Sequence, residues 1–430
     1  MTVNADEPLY WSAPRKILVR FFLVFFLLYM FFNPNGVLPY SDILYELYIP
    51  VFHNLVVWLG NNILHLQSPI TVFTNGSGDT TYDYVILLLI FVTAAISALI
   101  WSIADRRVRN YNKLFYWLTV VVRYYVAVTM VTYGFVKIIK LQFPYPDLNR
   151  LLEPIGDTSP MGLAWTYMGY STGFNLFTGL GELTCGLLLF FRRTSTLGAL
   201  LGLVVAGNIM AINYSFDVPV KLLSTMLTLM SLFLLFKDAV RLTNFFLLNK
   251  PAAPANLDPH KFKKRWANIT AAIVKYALIF FVLAGNIEND VNAMNEYGTR
   301  MPKPPLYGIY QVQSFVRNRD TIPPLTTDST RWNKLILAYS GGARVKMMND
   351  SIKRYDWKID TVKRTVVMFT YVDTAHKAYY TYTQPKKDEL LMKGKDKADS
   401  VYIHLKRLDL KKFRLNSRGF NWINEYPYNR

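Results

Sequence analysis

The fold turns on Arg123-Tyr124-Tyr125-Val126-Ala127-Val128-Thr129-Met130-Val131-Thr132-Tyr133-Gly134-Phe135-Val136-Lys137. It lies inside a longer apolar run, Leu114 to Ile139. A run of about 17 to 25 apolar residues is long enough to cross the hydrocarbon core as a helix. Within it Arg123, Ala127, Met130, Gly134 and Lys137 recur at intervals of four and three, so one helical stripe carries both cations. An ionisable residue in such a run usually faces the interior of a bundle and finds a partner there.

Six further runs have the same texture: Ile17–Phe32, Tyr84–Ala104, Ser171–Phe191, Thr194–Ile212, Val218–Phe236 and Trp266–Ala284. With only 18% charged and 52% hydrophobic residues, the chain is poorer in charge than a soluble domain of this size. Seven spans are therefore expected. Ile43–Leu66 is interrupted by Glu46, Pro50, His53, Asn54, Asn61 and Asn62, and reads as an interfacial or re-entrant helix. The first run is flanked by Trp11 and followed by Asn33-Pro34-Asn35-Gly36 rather than a small-residue cleavage site, so it reads as a retained span.

Short cytoplasmic loops retain Lys and Arg. Arg15, Lys16 and Arg20 precede the first span, and none follows until Arg106, which places 33–83 outside. Arg106, Arg107, Arg109 and Lys113 mark the next inner loop, Arg192 and Arg193 another, and the cations between Lys237 and Arg265 a third. Seven spans starting inside place the N-terminus in the cytoplasm and the C-terminal domain outside. The formal charge of +19 is accounted for by this topology and by anionic lipid, so membrane lipid is an expected partner and nucleic acid is not.

Glu182 lies in the fourth run, ten residues from Arg192, as Arg123 lies ten residues from Lys113. On successive antiparallel spans that spacing predicts an Arg123–Glu182 ion pair, either fixing helix register or serving chemistry. Gly173, Gly179, Gly181 and Gly186 surround Glu182, while Gly198, Gly202 and Ala206 repeat at intervals of four in the next run. Small residues so spaced let helix backbones approach closely in lipid. The single cysteine, Cys185, excludes disulfides within the chain and reads as a small packing residue. Asn208, Asn213, Asp217 and Lys221 gather near the turn between the fifth and sixth spans. With Lys137 they form either an outward-opening polar pocket or a wetted interface with snorkelling side chains.

The run from Arg123 to Lys137, with Gly181-Glu182-Leu183-Thr184-Cys185-Gly186 and the basic turn Arg192-Arg193-Thr194, resembles the DoxX family of small four-helix membrane proteins, over roughly residues 115 to 236. The resemblance implies a bundle linked in some members to membrane redox complexes and quinone chemistry, including thiosulfate oxidation. The extended layout looks like a Bacteroidota subgroup ending in a tail similar to 418–427. A quinone site needs an apolar slot with one or two hydrogen-bond donors. Arg123, Tyr124, Tyr133, Lys137 and Trp165 are candidates to supply donors and ring contacts.

No covalently bound cofactor is expected, since haem, iron–sulfur and dinucleotide motifs are missing from the sequence. His53, His65, His260, His376 and His404 are scattered. An electron-transfer role therefore implies a diffusing quinone or a redox partner subunit. Two further readings stay open. One is a non-catalytic envelope scaffold or biogenesis factor whose external domain binds an envelope protein. The other is an enzyme resembling the vitamin K-dependent carboxylase group, with Lys137 as base, although no residue motif of that group is matched.

The domain reading follows these elements. Residues 1–113 hold the N-terminal spans, 114–236 the four-helix core, and 237–285 an inner loop and the last span. Residues 286–330 read as a Pro-rich linker with one short helix at Tyr310–Arg317. The remainder, 331–430, shows short alternating runs: Leu335–Tyr339, Ala343–Met347, Lys353–Ile359, Thr365–Tyr371, Lys377–Thr383, Glu389–Lys393, Ser400–Lys406 and Lys412–Leu415. Such spacing predicts an antiparallel barrel or sandwich, lipocalin-like in strand count. Trp332, Trp357, Tyr379, Tyr380 and Tyr382 are either its core or a ligand-lined interior. From Asn286 onward, 26 Lys and Arg stand against 15 Asp and Glu, leaving this part about +11. That surface suits an acidic partner, or is simply solvated.

Overall fold

The computed structural model describes residues 10–35, 41–71, 73, 76–255, 257, 261–370 and 372–429, with the backbone alone for 41–45. Gly36, His260 and Tyr371 from the sequence reading lie outside the described residues. The chain divides into two compact units.

The first unit comprises residues 1–143 and 159–294 and is helical. Its helices are α1 (Ala13–Phe32), α2 (Ser41–Asn62), α3 (Thr81–Ala104), α4 (Asn112–Ile138), α5 (Pro160–Tyr170), α6 (Thr172–Leu189), α7 (Ser195–Ser215), α8 (Lys221–Phe236), α9 (Ala239–Phe246) and α10 (Arg265–Glu296). Among the described residues α3, α4, α7 and α10 are long and apolar enough to cross a membrane, and α8 with α9 would add a fifth span despite an 82° bend. Helix α1 carries Arg15, Lys16 and Arg20, and α6 carries Asn175, Glu182 and several glycines. Those residues dilute two of the seven expected spans. The protein is thus a membrane protein by its helices.

The centre of this unit is the contact of α4 with α6. Val122, Val126, Ala127, Met130 and Val131 from α4 join Cys185 and Leu189 from α6 in one buried cluster. The two backbones touch: a Cβ on Gly134 would stand 2.7 Å from the Leu183 nitrogen, and one on Gly186 would stand 2.6 Å from the Ala127 carbonyl oxygen. Glycine is required at both places because the obstructing atoms are main chain and cannot rotate away. Gly198 and Gly202 pack less tightly, mainly against the side chains of Leu188, Leu189, Cys185 and Ser231 at 3.0–3.1 Å from a Cβ, and Cys185 is fully buried.

The second unit, 144–158 and 295–430, is built on a β-barrel. Its strands are β1 (Gly308–Arg317), β2 (Asp320–Thr321), β3 (Trp332–Tyr339), β4 (Gly342–Met347), β5 (Ile352–Asp360), β6 (Thr365–Phe369), β7 (Ala378–Thr383), β8 (Glu389–Asp396) and β9 (Asp399–Arg407). Consecutive strands pair antiparallel from β3 to β9, and β1 pairs with both β3 and β9. Eight strands therefore close into a barrel, with β2 a short addition along β1. Closure leaves no open sheet edge.

Three sequence expectations change here. Residues 310–317 form β1 rather than a helix, because Tyr310, Val312 and Phe315 all face the core and a bulge between Val312 and Ser314 stretches their spacing from two to three. The segment Lys412–Leu415 is not a strand; a 3₁₀ turn at Leu410–Lys412 leads into α11 (Arg414–Ser417). The expected linker of 286–330 shortens from both ends, as α10 runs to Glu296 and β1 begins at Gly308. Trp332, Trp357, Tyr380 and Tyr382 are buried in the barrel core, whereas Tyr379 is exposed. Residues 144–158, which connect α4 to α5, belong to this second unit. Leu148 is buried with Ile309 and Ile336, and the Tyr339 hydroxyl donates to Asp147.

Candidate functional site

Glu182 sits in the middle of α6 with its side chain 1% exposed, and its partner is the Lys137 ammonium at the last turn of α4. This overturns the expected Arg123–Glu182 pair. The register explains why: Gly134 faces Gly179 and Leu183, and Gly186 faces Ala127 and Val131. Glu182 is therefore level with the 131–133 turn of α4. Arg123 lies about nine residues away, roughly 13 Å along the axis, close to the height of Arg192. The ten-residue spacing from the basic anchors misleads because Lys113 lies at the start of α4, well beyond the level of Arg192.

A buried charge pair is tolerable only where its hydrogen-bonding capacity is met. Here Glu182 Oε1 takes the lysine, and Oε2 has no partner among the described residues. The Lys137 ammonium also faces two rings, Tyr133 at 5.9 Å and Phe143 at 6.0 Å from the centroids. Trp165 on α5 joins edge-on to Phe143, with centroids 5.0 Å apart. Of the candidate residues, Lys137, Glu182, Tyr133 and Trp165 are thus brought together. Arg123 and its neighbour Tyr124 are not: the guanidinium stacks 5.2 Å over the Tyr124 ring, at the far end of the bundle.

Beside this cluster a cavity of about 220 Å³ opens between α1, α2, α3, α4 and the start of α8. Phe32, Ile49, Ile86, Leu87, Ile90, Leu222 and Leu223 form its apolar wall, and Tyr29, Asn33, Asn35, Tyr82, Asp83 and Tyr133 its polar part. Several of these polar groups are already engaged. Asn35 Nδ2 donates to the Tyr125 hydroxyl at 2.7 Å, and that hydroxyl donates to the Asn33 carbonyl at 2.7 Å. Asp83 accepts from the Thr80 N–H and hydroxyl in a capping box at the start of α3. The Tyr133 hydroxyl makes no hydrogen bond among the described residues, so this donor remains for a ligand.

Asn213, Asp217 and Lys221 do not line the cavity, nor does Asn208. They build the turn that holds its wall. Asn213 Nδ2 donates to Ser224 Oγ at 3.0 Å and to the Val220 carbonyl at 3.3 Å, and Lys221 pairs with Asp217 at 2.8 Å. Asp79 then accepts from the backbone N–H groups of Lys221 and Leu222 at 2.7 and 2.9 Å, capping α8 from a distant loop. Gly78 N–H donates to the Pro219 carbonyl alongside. Sequence reading missed Asp79, Asn33, Asn35, Tyr29 and Tyr125. The loop residues among them carry no periodicity, and nothing local marks where they dock.

Comparison with known proteins reaches part of the chain. Over 126 residues it is 36% identical to the uncharacterized protein YwoB of Bacillus subtilis (strain 168), covering 29% of this chain and 79% of that protein. The chain belongs to the same family as YwoB. No family model matches it, and no solved structure matches it. The name of that relative states no activity, so the chemistry rests on the side chains. Among the described residues no three His, Cys, Asp or Glu side chains come together as metal ligands.

The barrel unit offers a different surface. Its interior is filled by side chains from β1 and β3–β9. Outside, an open cleft of about 560 Å³ is bordered by Lys303, Lys386, Lys387 and Arg407 beside Tyr307 and Tyr310.

Proposed function

We propose that the helical unit is a DoxX-type, quinone-linked membrane module that holds a quinone head group in the cavity beside Tyr133. The observation that carries this reading is the free Tyr133 hydroxyl. Tyr133 lines an apolar-walled space, and its ring lies beside the buried Lys137–Glu182 pair. A carbonyl-bearing ring needs an apolar slot with very few donors, and this one offers Tyr133, its neighbours Asn33 and Asn35 being held by Tyr29 and Tyr125. At about 220 Å³ the space falls below the roughly 300–1,000 Å³ typical of sites that enclose a drug-sized ligand. It fits one ring, with the isoprenoid tail leaving between helices.

In this reading α1 and α6 are spans as well, giving seven with α3, α4, α7, α8 and α10. The N-terminus is cytoplasmic and the barrel periplasmic, in a bacterial inner membrane. Electrons enter or leave through a redox partner subunit or a diffusing quinone. Extraction of the purified full-length protein followed by mass spectrometry should find bound quinone, and titration should saturate a single site. A protein free of quinone that also binds none on titration overturns the reading.

A second reading has its own support. The barrel is packed solid and basic outside, with a cationic cleft, so it suits an acidic envelope partner better than an enclosed ligand. Crosslinking in cells through the Lys386–Lys387 rim should capture a reproducible envelope protein, and a partner-free result counts against it.

A further inference from the structure

Apart from the cavity, the end of the helical unit at the α6–α7 turn gathers Arg123, Lys237 and Lys275 against one carboxylate, Asp238, among the described residues. Arg123 is 94% buried by its 6% exposure, eleven residues inside α4. Its guanidinium has the Tyr124 hydroxyl as partner, its Nε has none, and no carboxylate pairs with it among the described residues. Lys275 reaches in from α10, its ammonium 4.8 Å over the Phe191 ring, also without a carboxylate among the described residues. Both Lys237 and Lys275 lie within the fields of Arg123 and Arg192.

Among the described residues one acid, Asp238, stands near these four cations, and it is already committed. Asp238 binds Arg241 at 2.6 Å and the Thr196 hydroxyl at 2.5 Å, leaving Lys237 at 3.9 Å. Lys237 instead donates to Ser195 Oγ at 3.2 Å. Retention of cations on the inner side explains Arg and Lys on loops. It does not explain an arginine buried inside a span. Like charges in a low-dielectric setting repel strongly unless a counter-ion joins them. Only 6% of the apolar window of α10 is buried, yet Lys275 is half-buried, with its ammonium turned toward Phe191.

We propose that this cluster binds the phosphate of an anionic ligand, with Arg123 and Lys275 as its inner contacts and Lys237 and Arg192 at its rim. Guanidinium and ammonium donors arriving from α4, α10, the α6–α7 turn and the end of α8 suit a group with several acceptor oxygens. A phospholipid headgroup and free phosphate share that chemistry, and the test separates them.

The full-length protein would be delipidated in detergent and titrated with phosphatidylglycerol, with phosphatidylcholine and with inorganic phosphate, following retained ligand by native mass spectrometry and thermal stability. Saturable binding of phosphatidylglycerol but not phosphatidylcholine identifies a lipid source. Binding of inorganic phosphate that competes with phosphatidylglycerol identifies a soluble one. Arg123→Gln and Lys275→Gln should each weaken binding about tenfold or more, as for loss of one charged hydrogen bond. Lys275→Gln lies on the little-buried helix and keeps the test valid if Arg123→Gln fails to fold. Binding of neither anion, or binding unchanged in Lys275→Gln, overturns the proposal.

Discussion

Replacing Lys137 by Met leaves the Glu182 carboxylate 1% exposed with no cation to meet it. Breaking a buried pair from one side costs about 3–5 kcal/mol, and Glu182→Leu, which strands the ammonium, should cost the same. Replacing both with apolar side chains of similar volume is often neutral or stabilising by about 1–4 kcal/mol. The case is favourable here, because Glu182 Oε2 is unpartnered even in the intact pair. The double variant Lys137→Met with Glu182→Leu should therefore recover most of the loss, giving a coupling of about 3 kcal/mol or more. The assay is equilibrium unfolding in mixed micelles with added SDS, followed by circular dichroism and tryptophan fluorescence. Arg123→Met is the control: at roughly 13 Å of axial separation from Glu182, its coupling to Glu182→Leu should fall within about 0.5 kcal/mol of zero. Additive effects of Lys137→Met and Glu182→Leu, or strong coupling of Arg123 to Glu182, would refute the register derived from the α4–α6 glycines.

The remaining predictions concern what holds the two units together internally. Gly186→Ala places a methyl 2.6 Å from the Ala127 carbonyl and 2.7 Å from Val131 Cγ2, so the helices must part, at about 1–3 kcal/mol. Gly207→Ala on α7 meets nothing within 4 Å and should be neutral or mildly stabilising in the same unfolding assay. Asp79→Ala removes the acceptor of two N–H groups at the start of α8; a loss of about 1–2 kcal/mol is expected, with faster hydrogen exchange in that first turn. In the barrel unit, burial raises the Asp147 carboxyl pKa. Hydrogen bonds from Tyr339, the Arg150 N–H and Asn149, with the charge of Arg344, outweigh it and hold the carboxyl below its ordinary value. A carboxyl with a depressed folded pKa stabilises above its unfolded value of about 4, and that contribution is lost as pH falls through the lower folded value. Exchange of residues 144–158 should thus quicken only below about pH 4, and Asp147→Asn should flatten that dependence.

Much of this fold was legible because the apolar runs and the alternating strands each repeat with a period that only one backbone conformation satisfies. Leu114–Ile139 reads as a helix and is one from Asn112 to Ile138, and the runs from Ala343 to Lys406 mark six consecutive strands. Reading failed where a local irregularity imitates the other period. The bulge after Val312 spaces Tyr310, Val312 and Phe315 in a partly helical manner. It failed too where partner choice depends on helix register. Arg123 and Lys137 share one stripe of α4, and only the glycine contacts decide which of them meets Glu182. The cavity was hidden for a third reason. Its polar end comes from Asn33, Asn35 and the Gly76–Asp83 segment, whose docking is set by long-range hydrogen bonds such as Asp79 to Lys221.

The central claim, a quinone head group held beside Tyr133, is tested most directly by photolabelling the full-length protein in membranes with an azido-quinone and mapping the labelled peptides. Labelling is expected on α4 near Tyr133 and on the facing parts of α1, α3 and α8, competed away by unlabelled quinone and weakened in Tyr133→Phe. Labelling confined to other helices, or undiminished by competitor, would contradict it.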